Sequence, residues 1–172
     1  MKKYTIDLDL TKCISCHACA VACMDQNDIR TELGQQPFRY VFDLETEKEE
    51  GITYSHLSLA CMHCSDAPCI IACPSACLQK DRETNLTIFN TANCIGCHSC
   101  AMACPFGIPF FGEDGKMVKC DGCYIRVHYG MKPACVKACP VGALRLIELG
   151  AEEIAEEDSL QQTGGRLLKV QV

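Results

Sequence analysis

Sixteen of the seventeen cysteines in this 172-residue chain fall into four groups of four, and that spacing constrains its folding more than any other feature. The first group is Cys13, Cys16, Cys19 and Cys23. The second is Cys61, Cys64, Cys69 and Cys73, followed by Pro74. The third is Cys94, Cys97, Cys100 and Cys104, followed by Pro105. The fourth is Cys120, Cys123, Cys135 and Cys139, followed by Pro140. Cys77 is left over. Three cysteines at two-residue gaps let a tight loop wrap one corner of an iron–sulfur cube, each thiolate taking one iron. The fourth cysteine lies a turn further on and points away, toward another cube. Sixteen thiolates in four such groups imply four [4Fe–4S] clusters in two exchanging pairs. Gly96 and Gly122 lie inside Cys94-Ile95-Gly96-Cys97 and Cys120-Asp121-Gly122-Cys123. A glycine there allows positive φ and a close approach of the backbone to the cluster. The prolines after three groups present no N–H where the chain turns away.

Rival uses of cysteine fit less well. Structural zinc prefers two separated Cys-x2-Cys pairs closing one tetrahedron, which triplets with a fourth cysteine at +4 do not resemble. An odd cysteine count argues against a closed disulfide framework. The start, Met1-Lys2-Lys3-Tyr4-Thr5-Ile6-Asp7, has no apolar core of a signal peptide, since Asp7 and Asp9 interrupt it. The expectation is a chain kept in a reducing cytoplasm, where structural disulfides are disfavoured. A formal charge of −6 without a basic stripe excludes nucleic acid as a natural partner. No stretch supplies the ~20 apolar residues of a membrane helix, so no membrane span is expected.

Between the groups the elements must be short. Residues 4–10 alternate apolar and polar and predict a strand, and 17–26 predict a helix. The connection 27–57 carries an acidic run at 43–50, read as a solvated loop between short strands. Residues 56–60, 86–90 and 143–149 predict strands, and 121–129 and 133–138 predict helices. Residues 151–158 form an acidic helical stretch, followed by a break at Thr163-Gly164-Gly165. This tail reads either as a capping helix with an edge strand or as a docking arm for a partner. An internal repeat relates Cys13-Ile14-Ser15-Cys16-His17-Ala18-Cys19 to Cys94-Ile95-Gly96-Cys97-His98-Ser99-Cys100. Two ferredoxin-like units are implied, and metal binding should supply much of their folding energy.

Several motifs together carry a family likeness. They are Cys61-Met62-His63-Cys64 with Cys73-Pro74, Cys94-Ile95-Gly96-Cys97, Met102-Ala103-Cys104-Pro105-Phe106-Gly107, Lys119-Cys120-Asp121-Gly122-Cys123-Tyr124 with Arg126, and Cys135 with Cys139-Pro140. Over residues 5–143 the chain resembles the four-cluster ferredoxin subunits of complex iron–sulfur molybdoenzymes, such as those of dimethyl sulfoxide reductase, polysulfide reductase, formate dehydrogenase and hydrogen-dependent carbon dioxide reductase. The resemblance implies an α+β fold of two nested bacterial 2[4Fe–4S] ferredoxin-like units, loop-rich and cluster-stabilised. One unit would span about 1–26 plus 115–149 and the other about 55–112, with an insertion at 27–54. Together they would make a domain of 1–149, and 150–172 would form the acidic tail.

The resemblance also implies a nested pairing, which spacing alone does not choose among three. One cluster would take Cys13, Cys16, Cys19 and Cys139, and its neighbour Cys120, Cys123, Cys135 and Cys23. A third would take Cys61, Cys64, Cys69 and Cys104, and the last Cys94, Cys97, Cys100 and Cys73. Some nitrate-reductase relatives replace one third-group cysteine by tryptophan and hold a three-iron cluster. This chain has no tryptophan, so four full cubanes are expected. The implied role is a non-catalytic electron-transfer subunit of anaerobic metabolism. It would relay single electrons between a molybdenum or tungsten pterin subunit and a second redox partner, a hydrogenase or another iron–sulfur subunit. The alternative is a free polyferredoxin carrier.

Other residues have two readings each. Lys12, Lys119, Arg126, Lys132 and Lys137 either offset cluster charge or are ordinary surface cations. His17, His63 and His98 lie between complete cysteine sets and need not be ligands; each is a partly exposed bystander or a hydrogen-bond donor to sulfur. Cys77 reads as a small buried apolar residue. Phe106, Phe110 and Phe111 around Pro109 are expected to pack over a cluster, with a partner interface as the other reading.

Overall fold

Loops that must wrap metal clusters leave little chain for regular structure. The computed structural model describes residues 3–49 and 51–149. Strand β1 (Lys3–Leu8) is followed by helix α1 (Ala18–Gln26) and by strands β2 (Tyr40–Lys48) and β3 (Gly51–Leu59). Then come α2 (Pro68–Ile71), β4 (Leu78–Lys80), β5 (Thr87–Phe89), α3 (Ser99–Ala103), β6 (Phe110–Phe111) and β7 (Met117–Val118). Helices α4 (Tyr124–His128) and α5 (Ala134–Ala138) and strand β8 (Leu144–Leu149) complete the order. The strands pair two by two: β1 with β8, β2 with β3, β4 with β5, and β6 with β7. The result is the small mixed helix-and-strand architecture expected of an α+β chain. No described helix is long and apolar enough to cross a membrane. The helical stretch and break expected beyond residue 150 lie outside the described residues.

The acidic run at 43–50 departs from its expected loop. Residues 43–48 belong to β2, paired antiparallel with β3 in a register that sets Asp43 opposite His56, Glu45 opposite Tyr54 and Glu47 opposite Ile52. Residues 42–47 and 51–55 are all exposed. A two-stranded ribbon wet on both faces has no buried side to demand apolar alternation, so its charges are tolerated. Asp43 and His56 use this register directly, their side chains meeting at 2.8 Å.

The chain divides into two compact units. One holds Cys61–Met131 with the described residues up to Thr5 and from Ile147 onward; the other holds Ile6–Ala60 with Lys132–Leu146. In the first, α2 packs on α3, and Ala67, Cys69, Cys77, Leu78, Cys100 and Met117 are buried together. In the second, α1 packs on α5 around Cys19, Cys135, Val136 and Leu144. Cysteine is a large part of both cores, so packing and ligand placement are one problem here.

Candidate metal centres

The cysteine loops share a backbone device. In the first Cys-x-x-Cys of each group the residue before the second cysteine has left-handed φ: Ser15 at 54°, His63 at 50°, Gly96 at 67° and Gly122 at 74°. The two glycines take this conformation freely, as their sequence position predicts. Ser15 and His63 take it at a cost of about 1–2 kcal/mol each, a sign that the loop geometry is imposed by what it must hold. Such turns gather backbone N–H groups into an anion-binding concavity. Gly122 N donates to Cys120 Sγ at 3.3 Å, and Met117 N to Cys94 Sγ at 3.3 Å. At Gly96 a Cβ would also stand 2.8 Å from Gly115 O, so no side chain fits. The internal repeat persists in three dimensions, with His17 (φ 59°) and His98 (φ 62°) starting α1 and α3 in the same way.

Three quartets of cysteines each line one cavity. Cys13, Cys16, Cys19 and Cys139 line one together with Leu8, Val41 and Leu144. Cys61, Cys64, Cys69 and Cys104 line one with Phe106, Pro109, Thr87 and Lys119. Cys73, Cys94, Cys97 and Cys100 line one with Cys77, Phe111 and Met117. Of the remaining ligand candidates, Cys120 and Cys123 lie in the first compact unit, Cys23 and Cys135 in the second. Among the described residues no three His, Cys, Asp or Glu side chains converge closely enough for a single metal ion. The quartets surround volumes rather than points, which suits a multi-atom group.

Protonation follows local structure. Burial pushes the Cys69 thiol up to about 11, so binding a metal through it releases a proton. Burial raises Cys64 and Cys100 in the same way. At Cys73 burial acts upward too. The Ser75 hydroxyl and the N–H groups of Leu78, Ser75 and Cys77 outweigh it and hold the thiol below its ordinary value. The Ser99 hydroxyl and N–H lower Cys97. Cys77, 2% exposed, is pushed by burial up to about 11, as befits a thiol that serves as packing.

Two cations, one undecided from sequence and one without any sequence signal, are buried, one beside a cysteine sulfur and one beside a serine that faces a cysteine. Lys119 is 1% exposed; its Nζ donates to Thr87 O at 2.6 Å and Cys120 O at 2.7 Å and lies 3.7 Å from Cys61 Sγ. Arg39, 4% exposed, donates from Nη1 to both Ser58 O and Ser58 Oγ at 3.0 Å. Ser58 Oγ lies 3.3 Å from Cys19 Sγ. Because the guanidinium can only donate, the hydroxyl proton of Ser58 stays free, and a metal-bound Cys19 thiolate, which can only accept, would take it. The base of the hairpin at 40–59 thus delivers a hydroxyl to the cavity lined by Cys13 and Cys139. Lys12, Lys132 and Lys137 are exposed, Lys12 paired with Asp9 at 2.9 Å, and Arg126 is half-buried.

The histidines divide. His17 and His98 are exposed, His98 stacking on Phe111 with centroids 3.7 Å apart. His63 is buried, so a bystander role does not hold for it. Its Nδ1 accepts from Thr87 N at 3.0 Å, and its Nε2 lies 3.8 Å from Cys120 Sγ. Thr87 Oγ1, in the wall of the Cys61 cavity, is buried and has no hydrogen-bond partner. An orphaned hydroxyl, a buried ammonium and four thiols around one cavity fit an anionic cluster with sulfur acceptors.

Comparison with known proteins agrees with that chemistry. The 4Fe-4S dicluster domain family matches residues 52–149. The B subunit of the anaerobic dimethyl sulfoxide reductase of Escherichia coli (strain K12) is 38% identical over 151 residues, spanning 83% of this chain and 72% of that protein. Its Haemophilus influenzae counterpart is 36% identical over 151 residues, 84% of this chain and 73% of that protein. The iron–sulfur subunit of the nitrate-inducible formate dehydrogenase of Escherichia coli (strain K12) is 36% identical over 169 residues, 87% of this chain and 58% of that protein.

Proposed function

This chain belongs to the 4Fe-4S dicluster domain family, with [4Fe–4S] clusters as its cofactor, and from that premise we propose that it is the electron-transfer subunit of a cytoplasmic molybdenum or tungsten enzyme complex. It holds four clusters and transforms no substrate itself. It connects a pterin-dependent catalytic subunit, such as a formate dehydrogenase, to a second redox partner, a hydrogenase or a further iron–sulfur subunit. The observation that carries this reading is the gathering of three quartets, each from sequence-distant segments, around three separate cavities. The quartet of Cys120, Cys123, Cys135 and Cys23 completes the ligand set. Bound clusters supply one-electron redox chemistry at potentials tuned by charge, hydrogen bonds and exposure.

The protein's own residues do the tuning and the shielding. Ser58, held by Arg39, places an O–H at Cys19. Pro109, Phe106 and Phe111 keep water from two of the cavities. A subunit reading is favoured over a free carrier by the surface next to the two exposed ligand candidates. Ile14 beside Cys16 is 57% exposed and Ile95 beside Cys97 is 68% exposed. Apolar side chains at both exposed thiols suit surfaces that partners cover.

Anaerobic affinity purification of this chain from its host, with mass spectrometry of what co-elutes, tests the assignment. The expected result is a large pterin-dependent subunit in stable stoichiometry. A monomer that keeps its iron and elutes alone overturns the subunit reading in favour of the free polyferredoxin. A second expectation concerns Ser58→Ala. Losing an O–H donor to a charged sulfur is worth about 1.5–3 kcal/mol. Only the part by which the reduced cluster gains more than the oxidised one moves the potential, so the cluster held by Cys13, Cys16, Cys19 and Cys139 should drop in midpoint potential by up to on the order of 60 mV for one electron. Redox titration followed by EPR reads this, and an unchanged potential at full iron content contradicts it.

A further inference from the structure

We propose that His63 and Lys119 form a reciprocal link between two neighbouring clusters, each side chain standing on one cysteine loop and acting on a cysteine of the other. The proposal rests on the four-cluster reading above and adds to it a pair of potential-setting residues. His63 lies between the ligands Cys61 and Cys64, yet its Nε2 is 3.8 Å from Cys120 Sγ. Lys119 directly precedes Cys120, yet its Nζ is 3.7 Å from Cys61 Sγ. Both distances suit a donor to sulfur, whose radius exceeds that of oxygen. The two side chains therefore cross.

One residue holds both. Thr87, on β5, donates its N–H to His63 Nδ1 at 3.0 Å and accepts Lys119 Nζ on its carbonyl at 2.6 Å. An Nδ1 that accepts carries no proton, so the ring is the neutral tautomer with its N–H on Nε2. That N–H faces Cys120. A residue without this constraint could turn either edge to the sulfur; His63 can offer only a donor. The loop around Cys120 is shaped to receive it. A Cβ on Gly122 would stand 3.1 Å from His63 Nε2 and 3.0 Å from Leu86 Cδ2, so glycine leaves the ring its place.

Lys119 supplies the opposite arm. Its ammonium meets two carbonyl oxygens, which solvate the charge without neutralising it. A buried cation needs an anion, and the sulfur it faces is a cluster ligand in the Cys61 quartet. Cations and N–H donors at cluster sulfur favour the more negative, reduced state and raise its potential. Each arm thus raises the potential of the cluster on the far loop, and the shared Thr87 ties the two effects together.

The test is a crossed pair of redox titrations, followed by EPR, on the anaerobically purified full-length protein in its complex. Signals are assigned by their loss in Cys104→Ala and Cys123→Ala. Wild-type iron content is measured first; a value well short of about 16 per chain contradicts the four-cluster reading rather than this link. His63→Leu is expected to lower the potential of the cluster bound by Cys120 and Cys123, although His63 sits in the other cluster's loop. The expected change is about tenfold in the reduction equilibrium, or 59 mV for one electron. His63→Gln, which keeps an N–H, should recover most of it. Lys119→Met should lower the Cys61 cluster by at least as much, and Lys119→Arg by less. If Lys119→Met loses its iron, the two His63 variants decide. A shift confined to the Cys61 cluster in His63→Leu, or no shift at full iron content, overturns the link.

Discussion

Stripping iron from the anaerobic protein with a chelator is expected to abolish its cooperative unfolding transition and most of its secondary structure. Among the described residues the large aliphatic side chains that are buried are Leu78, Leu86, Met117, Val127, Val136 and Leu144. Each contributes about 1.5–3 kcal/mol when fully buried. Ordering the backbone costs about 1–2 kcal/mol per residue, and no aromatic side chain is buried among the described residues to offset it. The rest of the core is alanine and cysteine, and six of those cysteines are Cys19, Cys23, Cys69, Cys77, Cys100 and Cys135. Without clusters Cys19, Cys69 and Cys100 line cavities with nothing inside. Lys119 would remain as a buried cation with no anion to face, which destabilises a collapsed apo state further. The left-handed backbone at Ser15 and His63 would relax for the same reason. Far-UV circular dichroism and thermal scans before and after chelation check this. An apo chain that kept its native spectrum and a sharp transition would show that the apolar core suffices and that the clusters are guests.

The sequence is most legible where chemistry repeats. The spacing of the cysteines anticipates which segments form loops, and Gly96 and Gly122 announce the left-handed turn before the second cysteine of their pairs. Ser15 and His63 occupy the same turn without announcing it, because only glycine advertises positive φ. The available signal is the alignment of the four Cys-x-x-Cys loops with one another. The hairpin is misread when charge is taken to mean loop, whereas an isolated ribbon with two wet faces obeys no alternation rule. Lys119 shows the opposite case. Met117 on β7 is buried, and Lys119, one residue past the end of that strand, continues the alternation of burial. The period is there to be read, but a lysine on an apolar side makes sense only once an anion is known to lie opposite it. Arg39 gives no local sign at all, since its partner Ser58 comes from the far strand of the hairpin. Burial of a cation is a property of the assembled site, and no window of sequence contains it.

That dependence on distant segments makes Cys139→Ala the sharpest test of how the ligands are shared. Cys139 follows α5 near the end of the described chain, yet it lines the same cavity as Cys13, Cys16 and Cys19. If it completes their cluster, its removal should cost that cluster alone. Iron should fall from about 16 to about 12 per chain, or to about 15 if the three remaining cysteines keep a three-iron cluster. The EPR signal sensitive to Ser58→Ala should vanish with it, because Ser58 faces Cys19 in that cavity. Stability should fall as well. A metal bridge from the first cysteine loop to Cys139 closes a loop of about 120 residues, against about 35 for the bridge from Cys69 to Cys104. By the entropy argument used for disulfides these are worth about 5 and about 4 kcal/mol. Cys139→Ala should therefore lower the thermal midpoint at least as much as Cys104→Ala. Should Cys139→Ala spare the Ser58-sensitive signal and remove instead the one that depends on Cys94, Cys97 and Cys100, the pairing of first group with fourth is wrong. The wire would then have to be drawn in a different order.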